Sequence, residues 1–414
     1  MSEINGCDFF RIGSTDSEDR LKVTNRDIRI HRIGRINSSG VKELEDRQQL
    51  MDKHDDPDVK DVLIDNFGRI AKKLRISVTD KCNMRCIYCM PGGKIRWFDE
   101  HTTLDFREIA RLVSIFADLG IERIRLTGGE PLVRPDLEHL IAALAKIGGI
   151  KSISMTTNGI LFGKKASALK AAGLEGVNIS LDTFRPARFK EITGVNELNK
   201  VFEAINAAER AGLNVKINTV VIRGWNDDEI VDFANFARET GHTVRFIEFM
   251  PLDGRGIWQS DLVYTKKEII DNITRSIGTL LPLNNTSSSY YDGSNDTNHK
   301  EYSNKFYNQY HKSNPAKLFS FYDGRGTIGI IPSMTEPFCA SCDRMRLTSD
   351  GRLLTCLFEN PGYDIRNMLR SGKSNHYIKK KITENAMNKP EGIIKIIKTD
   401  ALKPSLNLMH TIGG

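Results

Sequence analysis

Six short apolar runs, each followed by enough chain for one helix, constrain the fold of this sequence more than any other feature. They are LRISVT (74–79), ERIRLT (122–127), KSISMTT (151–157), GVNISLD (176–182), NVKINTVV (214–221) and TVRFIEFM (243–250). The intervening stretches are amphipathic. In LDFREIARLVSIFADLG, Leu104, Ile109, Leu112, Phe116 and Leu119 recur at spacings of three to five, which places them on one helical face. Asp105, Asp136 and Asp227 stand where N-caps or first-turn acids belong. Gly120, Gly173, Gly212 and Gly241 stand just before the next strand run, as C′ glycines do. Six strand–helix repeats predict an α/β fold with a parallel sheet and right-handed crossovers. A doubly wound sheet and a partial barrel both satisfy the pattern, and in both ligands gather at the C-terminal ends of the strands.

Chemistry enters with the cysteines. Six of the seven fall into two triplets, Cys82/Cys86/Cys89 and Cys339/Cys342/Cys356, with Cys7 left over. A disulfide scaffold would be shorter, denser in cysteine and usually even in count. The first triplet, C-x3-C-x2-C, directly follows the first strand run. Three thiolates on one short loop hold three corners of a [4Fe–4S] cube and leave the fourth iron open. A structural zinc site would want a fourth Cys or His close by, and His101 follows only twelve residues later. The second triplet, C-x2-C-x13-C, again offers three ligands, with a three-cysteine zinc knuckle as the alternative. Arg344 and Arg346 follow it in CDRMRL. On a strand they share a face, and paired guanidiniums suit phosphate.

The rest of the 414-residue chain is less regular. With 39% hydrophobic and 27% charged residues, a sizeable core is expected. No run approaches the ~18 apolar residues of a membrane span, and the first twenty residues lack the apolar core of a secretory signal. The net charge of +7 favours an anionic ligand but is too diffuse to demand a nucleic acid. Residues 1–65 read as a disordered leader or, through the basic stretch 20–36, as a transit peptide. Residues 66–283 hold the repeats. Residues 284–316 contain no Leu, Ile, Val or Met and are expected to be a disordered insertion. Residues 317–370 read as a small second domain. Residues 371–414 read as a basic tail, flexible enough to span a domain, that ends in Gly413–Gly414.

The stretch from Leu74 to about Phe358 resembles the molybdenum-cofactor biosynthesis protein A family, the radical S-adenosylmethionine (SAM) GTP 3′,8-cyclases. The motifs that carry the resemblance are LRISVTDKCNMRCIYCMP, IRLTGGEPLVRPDL, TTNG, NISLDT, FIEFMP and EPFCASCDRMRLTSDGRLLTCLF. The resemblance implies an incomplete (β/α)6 barrel closed by a small C-terminal domain with a second [4Fe–4S] cluster. By motif position it makes Cys82, Cys86 and Cys89 ligands of the SAM cluster, and Cys339, Cys342 and Cys356 ligands of the cluster that binds guanine. It puts Tyr88, Gly129, Ser180 and Met250 against SAM. It puts Arg75, Arg125, Thr156, Lys216, Arg344 and Arg346 against GTP, and brings Gly413 and Gly414 into the active site.

The implied reaction is reductive cleavage of SAM, hydrogen removal from C3′ of GTP and attack of C3′ on C8. It is the first step of molybdenum-cofactor synthesis. Implied partners are an external electron donor and the downstream cyclic pyranopterin monophosphate synthase, with a homodimer left open and neither membrane nor nucleic acid expected. The mitochondrial matrix is the expected compartment in a eukaryote, with the cytoplasm as alternative. Two other functions remain open at this point: a radical SAM enzyme acting on a peptide, and an RNA-binding zinc protein.

Overall fold

The six strand runs become six parallel strands. In the computed structural model they are β1 (Lys73–Ser77), β2 (Arg123–Thr127), β3 (Ser152–Thr157), β4 (Gly176–Ser180), β5 (Asn214–Val221) and β6 (Thr243–Glu248), paired in that order. The structure describes residues 62–283, 314–359, 361–398 and 408–413. The first helix, α1 (Phe106–Asp118), begins with a capping box: Asp105 accepts from the Glu108 N–H, and Glu108 accepts in return from the Asp105 N–H. Leu104, Ile109, Leu112, Phe116 and Leu119 are all buried, as their spacing requires. Gly120 ends this helix with φ +85°, a conformation glycine adopts without steric cost. Asp136 occupies its expected cap position but makes no side-chain cap bond. It sits in the left-handed region at φ +56°.

Strands from residues 317–370 do not form a separate sheet. β10 (Arg344–Leu347) pairs in parallel with β1, and β9 (Thr327–Ile331) pairs in parallel with β6. Antiparallel strands continue each side: β11 (Arg352–Leu354) and β12 (Tyr363–Asp364) beyond β10, and β8 (Lys317–Phe321) and β7 (Leu280–Pro282) beyond β9. The result is one open twelve-stranded sheet with β12 and β7 at its edges, a partial barrel that does not close. Glu248, fully buried at the end of β6, binds the 333–336 turn to it by accepting from the Met334 and Thr335 N–H groups.

Alternation along these strands divides the sheet into two unlike faces. Leu74, Ile76, Ile124, Leu126, Ile153, Met155, Val177, Ile179, Ile217, Val244 and Phe246 pack with the helices in one core. The intervening positions are polar or cationic: Arg75, Arg125, Ser154, Thr156, Asn178, Lys216 and Arg245. A closed (β/α)8 barrel fills its interior with branched apolar side chains. This interior is built for a polar guest.

Two expectations about the chain's periphery change, and a third lies almost wholly outside the described residues. The leader ends before residue 65, because Leu63 is buried and its N–H bonds the Leu119 carbonyl. The expected disorder of 284–316 falls outside the described residues, except for Asn314–Ala316, where Ala316 is buried. The tail is not a free linker from residue 371. Helix α9 (Asn375–Met387; α2–α8 lie between it and α1 in the chain) packs on α1 through Ile378, Ile382 and Ala386, and a further helix, α10, spans Ile393–Lys398. The Ile–Ile–Ala stripe at spacings of four supplies the apolar face that the run of lysines conceals in the sequence.

Candidate active site: two cysteine triplets at a cationic interior

The loop that leaves β1 carries Cys82, Cys86 and Cys89, all half-buried. It is pinned from two sides. Arg85 and Ile87 donate their N–H groups to the Thr193 and Ile192 carbonyls. The end of β2 lies directly beneath: Gly129 N–H bonds the Thr79 carbonyl, and Glu130 N–H bonds that of Lys81. A Cβ on Gly129 would stand 2.4 Å from the Lys81 carbonyl oxygen and 2.5 Å from that of Asp80. The close approach that these glycines permit is therefore to the cysteine loop's own backbone. Gly129→Ala is expected to force that loop away, costing about 1–3 kcal/mol of overpacking. The measurements are a melting temperature lowered by roughly 2–4 °C and reduced iron uptake. An unchanged iron content would count against the fit.

Burial pushes the Cys82 thiol up to about 11 and the Cys89 thiol up to about 12, and burial, with Cys89, Asp182 and Cys82 nearby, raises Cys86 well above the usual thiol range. Thiols in this state give up their protons when a metal replaces them. Each triplet is a set of thiols alone, a donor chemistry that fits an iron–sulfur cube.

Tyr88 lies within this loop, Ser180 ends β4, and Gly129 and Met250 stand two residues beyond β2 and β6. The Tyr88 hydroxyl donates to Asp182 at 2.6 Å, and the second Asp182 oxygen accepts from the Val220 N–H. Burial raises Asp182 to about 6. Glu130, raised by burial to about 7, ties β2 to β3 through the Thr157 hydroxyl and the Asn158 N–H. Asn218, paired with Ser180 across β4 and β5, keeps a buried Oδ1 with no hydrogen-bond partner among the described residues, an acceptor suited to a ligand N–H or hydroxyl.

The other triplet sits beside β10. Cys339 and Cys342 lie in the turn before it and Cys356 follows β11, all half-buried. Register then places a row of charges across the sheet. Arg346 pairs with Arg75, and Arg75 with Arg125. Asn178 pairs with both Thr156 and Lys216. Arg344 lies over the Phe338 ring at 4.4 Å, with a buried Nη2 that has no hydrogen-bond partner among the described residues. Burial and the crowding of like charges depress Arg75 well below the usual guanidinium range, Arg125 to about 9, Arg346 to about 10 and Lys216 to about 7. A polyanion would relieve that crowding.

The chain's end reaches this row. Helix α11 (Met409–Ile412) leads to Gly413, whose carbonyl accepts from Arg346 Nη1. A Cβ on Gly413 would collide with Thr127 Oγ1 at 2.0 Å. Gly414 lies outside the described residues.

Arg245 was absent from the expected site. It is buried on the same face and donates to Asn178 Oδ1 at 2.6 Å, with Gly329 on β9 leaving room for it. The signal was available, because Arg245 interrupts the apolar run TVRFIEFM at an inward-facing position.

Comparison with known proteins agrees with this arrangement. The family model "Radical SAM superfamily" matches residues 76–237, and "Molybdenum Cofactor Synthesis C" matches 294–394. A relative from Thermodesulfovibrio yellowstonii, "GTP 3′,8-cyclase", is 42% identical over 84% of this chain and 99% of its own length. "GTP 3′,8-cyclase, mitochondrial" from Arabidopsis thaliana is 37% identical over 86% of each chain. The solved structure of Streptococcus suis SuiB bound to S-adenosylmethionine covers 90% of this chain and 80% of its own. Its TM-score is 0.50 at 14% identity, a likeness of fold alone. With identity of this order spanning nearly the whole of its relatives, the chain belongs to the radical SAM GTP 3′,8-cyclase family.

Proposed function

We propose that the two triplets and the cationic face between them work as one site that cyclises GTP to (8S)-3′,8-cyclo-7,8-dihydroguanosine 5′-triphosphate, the first step of molybdenum-cofactor synthesis. The carrying observation is the row Arg346–Arg75–Arg125, with Lys216 on the same face of the sheet and cysteine triplets at β1 and β10. Members of this family use S-adenosylmethionine and two [4Fe–4S] clusters. When bound, the clusters supply the electron that cleaves SAM and an open iron for the purine.

The chain's own residues do the rest. Cys82, Cys86 and Cys89 hold one cluster, and Cys339, Cys342 and Cys356 hold the other. Tyr88, Gly129, Ser180 and Met250 line the SAM side. Arg75, Arg125, Thr156, Lys216, Arg344 and Arg346 orient GTP and neutralise its phosphates. Gly413 stands against the same face, where it helps exclude water, and Gly414, outside the described residues, is assigned to the active site by the family resemblance alone. Incubation of the anaerobically reconstituted protein with SAM, GTP and a reductant tests the reading. The expected product is the 3′,8-cyclised nucleotide together with 5′-deoxyadenosine. Formation of 5′-deoxyadenosine without a cyclised nucleotide overturns it.

Lys216 gives this reading a pH signature. Its ammonium titrates near 7 in the free protein because burial and Arg245 disfavour the charge. Bound triphosphate raises that value, so binding takes up a proton above pH 7 and the affinity for GTP falls as pH rises. The expected slope is up to about tenfold per pH unit for one proton, measured by titration calorimetry from pH 7 to 9. Guanosine should show no slope, and an equal slope for both ligands would remove Lys216 from the phosphates.

An external one-electron donor and a downstream synthase that consumes the product complete the reaction's needs, and a homodimer is compatible with it. Residues 20–36 support a mitochondrial-matrix address. A reporter fused to residues 1–65 that stays in the cytosol would favour the cytoplasm.

A further inference from the structure

The turn between α9 and α10 lies directly on the second cysteine triplet. Lys389 is 6% exposed, and its Nζ donates to the carbonyls of Cys342 and Arg344, both at 2.8 Å. Those acceptors are neutral. A buried ammonium held by carbonyls alone is costly unless negative charge lies near, and the near groups here are the Cys342 and Cys356 sulfurs.

Gly392 makes the second contact. A Cβ there would stand 2.6 Å from Cys339 Cβ and 2.9 Å from its Sγ. Its backbone needs no left-handed conformation, so closeness is what requires glycine. Arg69 clamps the turn from below. Its Nη1 donates to the carbonyls of Cys339 (2.8 Å) and Glu391 (2.9 Å), and its Nη2 to that of Pro390 (2.7 Å). Asp65 orients that guanidinium through Nε at 2.6 Å.

We propose that residues 389–392 form a lid on the second cluster, in which Lys389 is the buried counter-charge that sets its reduction potential and Gly392 lets the lid seal Cys339 from water. The proposal rests on the reading of Cys339, Cys342 and Cys356 as cluster ligands. Net charge, hydrogen bonding and solvent access are what tune an iron–sulfur potential. A nearby positive charge favours the reduced, more negative state.

The test is redox titration of the full-length, anaerobically reconstituted chain, followed by electron paramagnetic resonance. Lys389→Met should move the second cluster's midpoint to more negative potential and leave the first unchanged, and Lys389→Arg should restore it. Should Lys389→Met instead shed the second cluster's iron, retention in Lys389→Arg supports the counter-charge, and loss in both variants overturns it. Gly392→Val should bleach the second cluster several-fold faster in air. Unchanged potential in Lys389→Met together with unchanged air stability in Gly392→Val overturns the lid. Wild-type protein that takes up only one cluster would instead overturn the ligand reading on which the lid rests.

Discussion

Cys82→Ala is expected to abolish reductive cleavage of S-adenosylmethionine, and Cys339→Ala to leave cleavage intact while abolishing cyclisation of GTP. A cube held at three corners does not survive the loss of one thiolate on a loop this short, so each variant should fall from about eight irons per chain to about four. The two losses differ in meaning because the triplets hang on different supports. The first is anchored to the ends of β2 and α4 (Pro186–Thr193), through Gly129 and Thr193. The second is anchored to Arg69 and the 389–392 turn. Neither anchor passes through the other. Measurement of 5′-deoxyadenosine and cyclised nucleotide in parallel decides the matter. Equal loss of both activities in a folded Cys339→Ala protein would contradict the division of labour.

Arg75→Ala should separate substrate affinity from stability, in opposite directions. Arg75 stands between Arg346 and Arg125 in the sheet, and the fields of Arg344 and Arg245 reach it too. Without a ligand these guanidiniums repel one another in a poorly solvated interior, so removing the central one should leave the melting temperature unchanged or higher. With GTP bound, the same change deletes one partner of a desolvated ion pair. Such deletions cost ~2–5 kcal/mol, which corresponds to GTP binding weaker by roughly thirtyfold or more. Guanosine should be nearly insensitive. A variant that melts lower and loses guanosine as readily as GTP would make Arg75 a structural residue. Arg346 is a poorer choice for this test, because its Nη1 also holds the Gly413 carbonyl.

Much of the architecture was legible because strands with one core-facing side advertise themselves. Leu74, Ile76 and Val78 alternate with polar residues, and so do their counterparts on β2 to β6. The caps at Asp105 and the C′ glycines are equally local signals. What stayed hidden depends on contacts between distant residues. Nothing near Arg69 announces that it will clamp a turn at 390, and nothing near Lys389 names the carbonyls it will meet. Gly392 reads as an ordinary loop glycine until Cys339 lies against it. The six residues that the family motifs assign to GTP, Arg75, Arg125, Thr156, Lys216, Arg344 and Arg346, fall on one face of the sheet. Arg245 was missed because a single arginine inside an apolar run was read as part of a strand and not as a member of that face.

The pairing of β1 with β10 has a consequence for how the protein is made. Arg69, four residues before β1, bonds the Cys339 carbonyl 270 residues downstream. At ~5–20 residues per second, a ribosome needs on the order of 15–55 s to supply that partner. Until then the nascent chain shows β1 as a bare edge, with its first cysteine loop exposed before the second triplet has been synthesised. Unpaired edges invite wrong neighbours, and non-local pairings form slowly. The yield of this protein in a foreign host should therefore rise with slower growth and lower temperature.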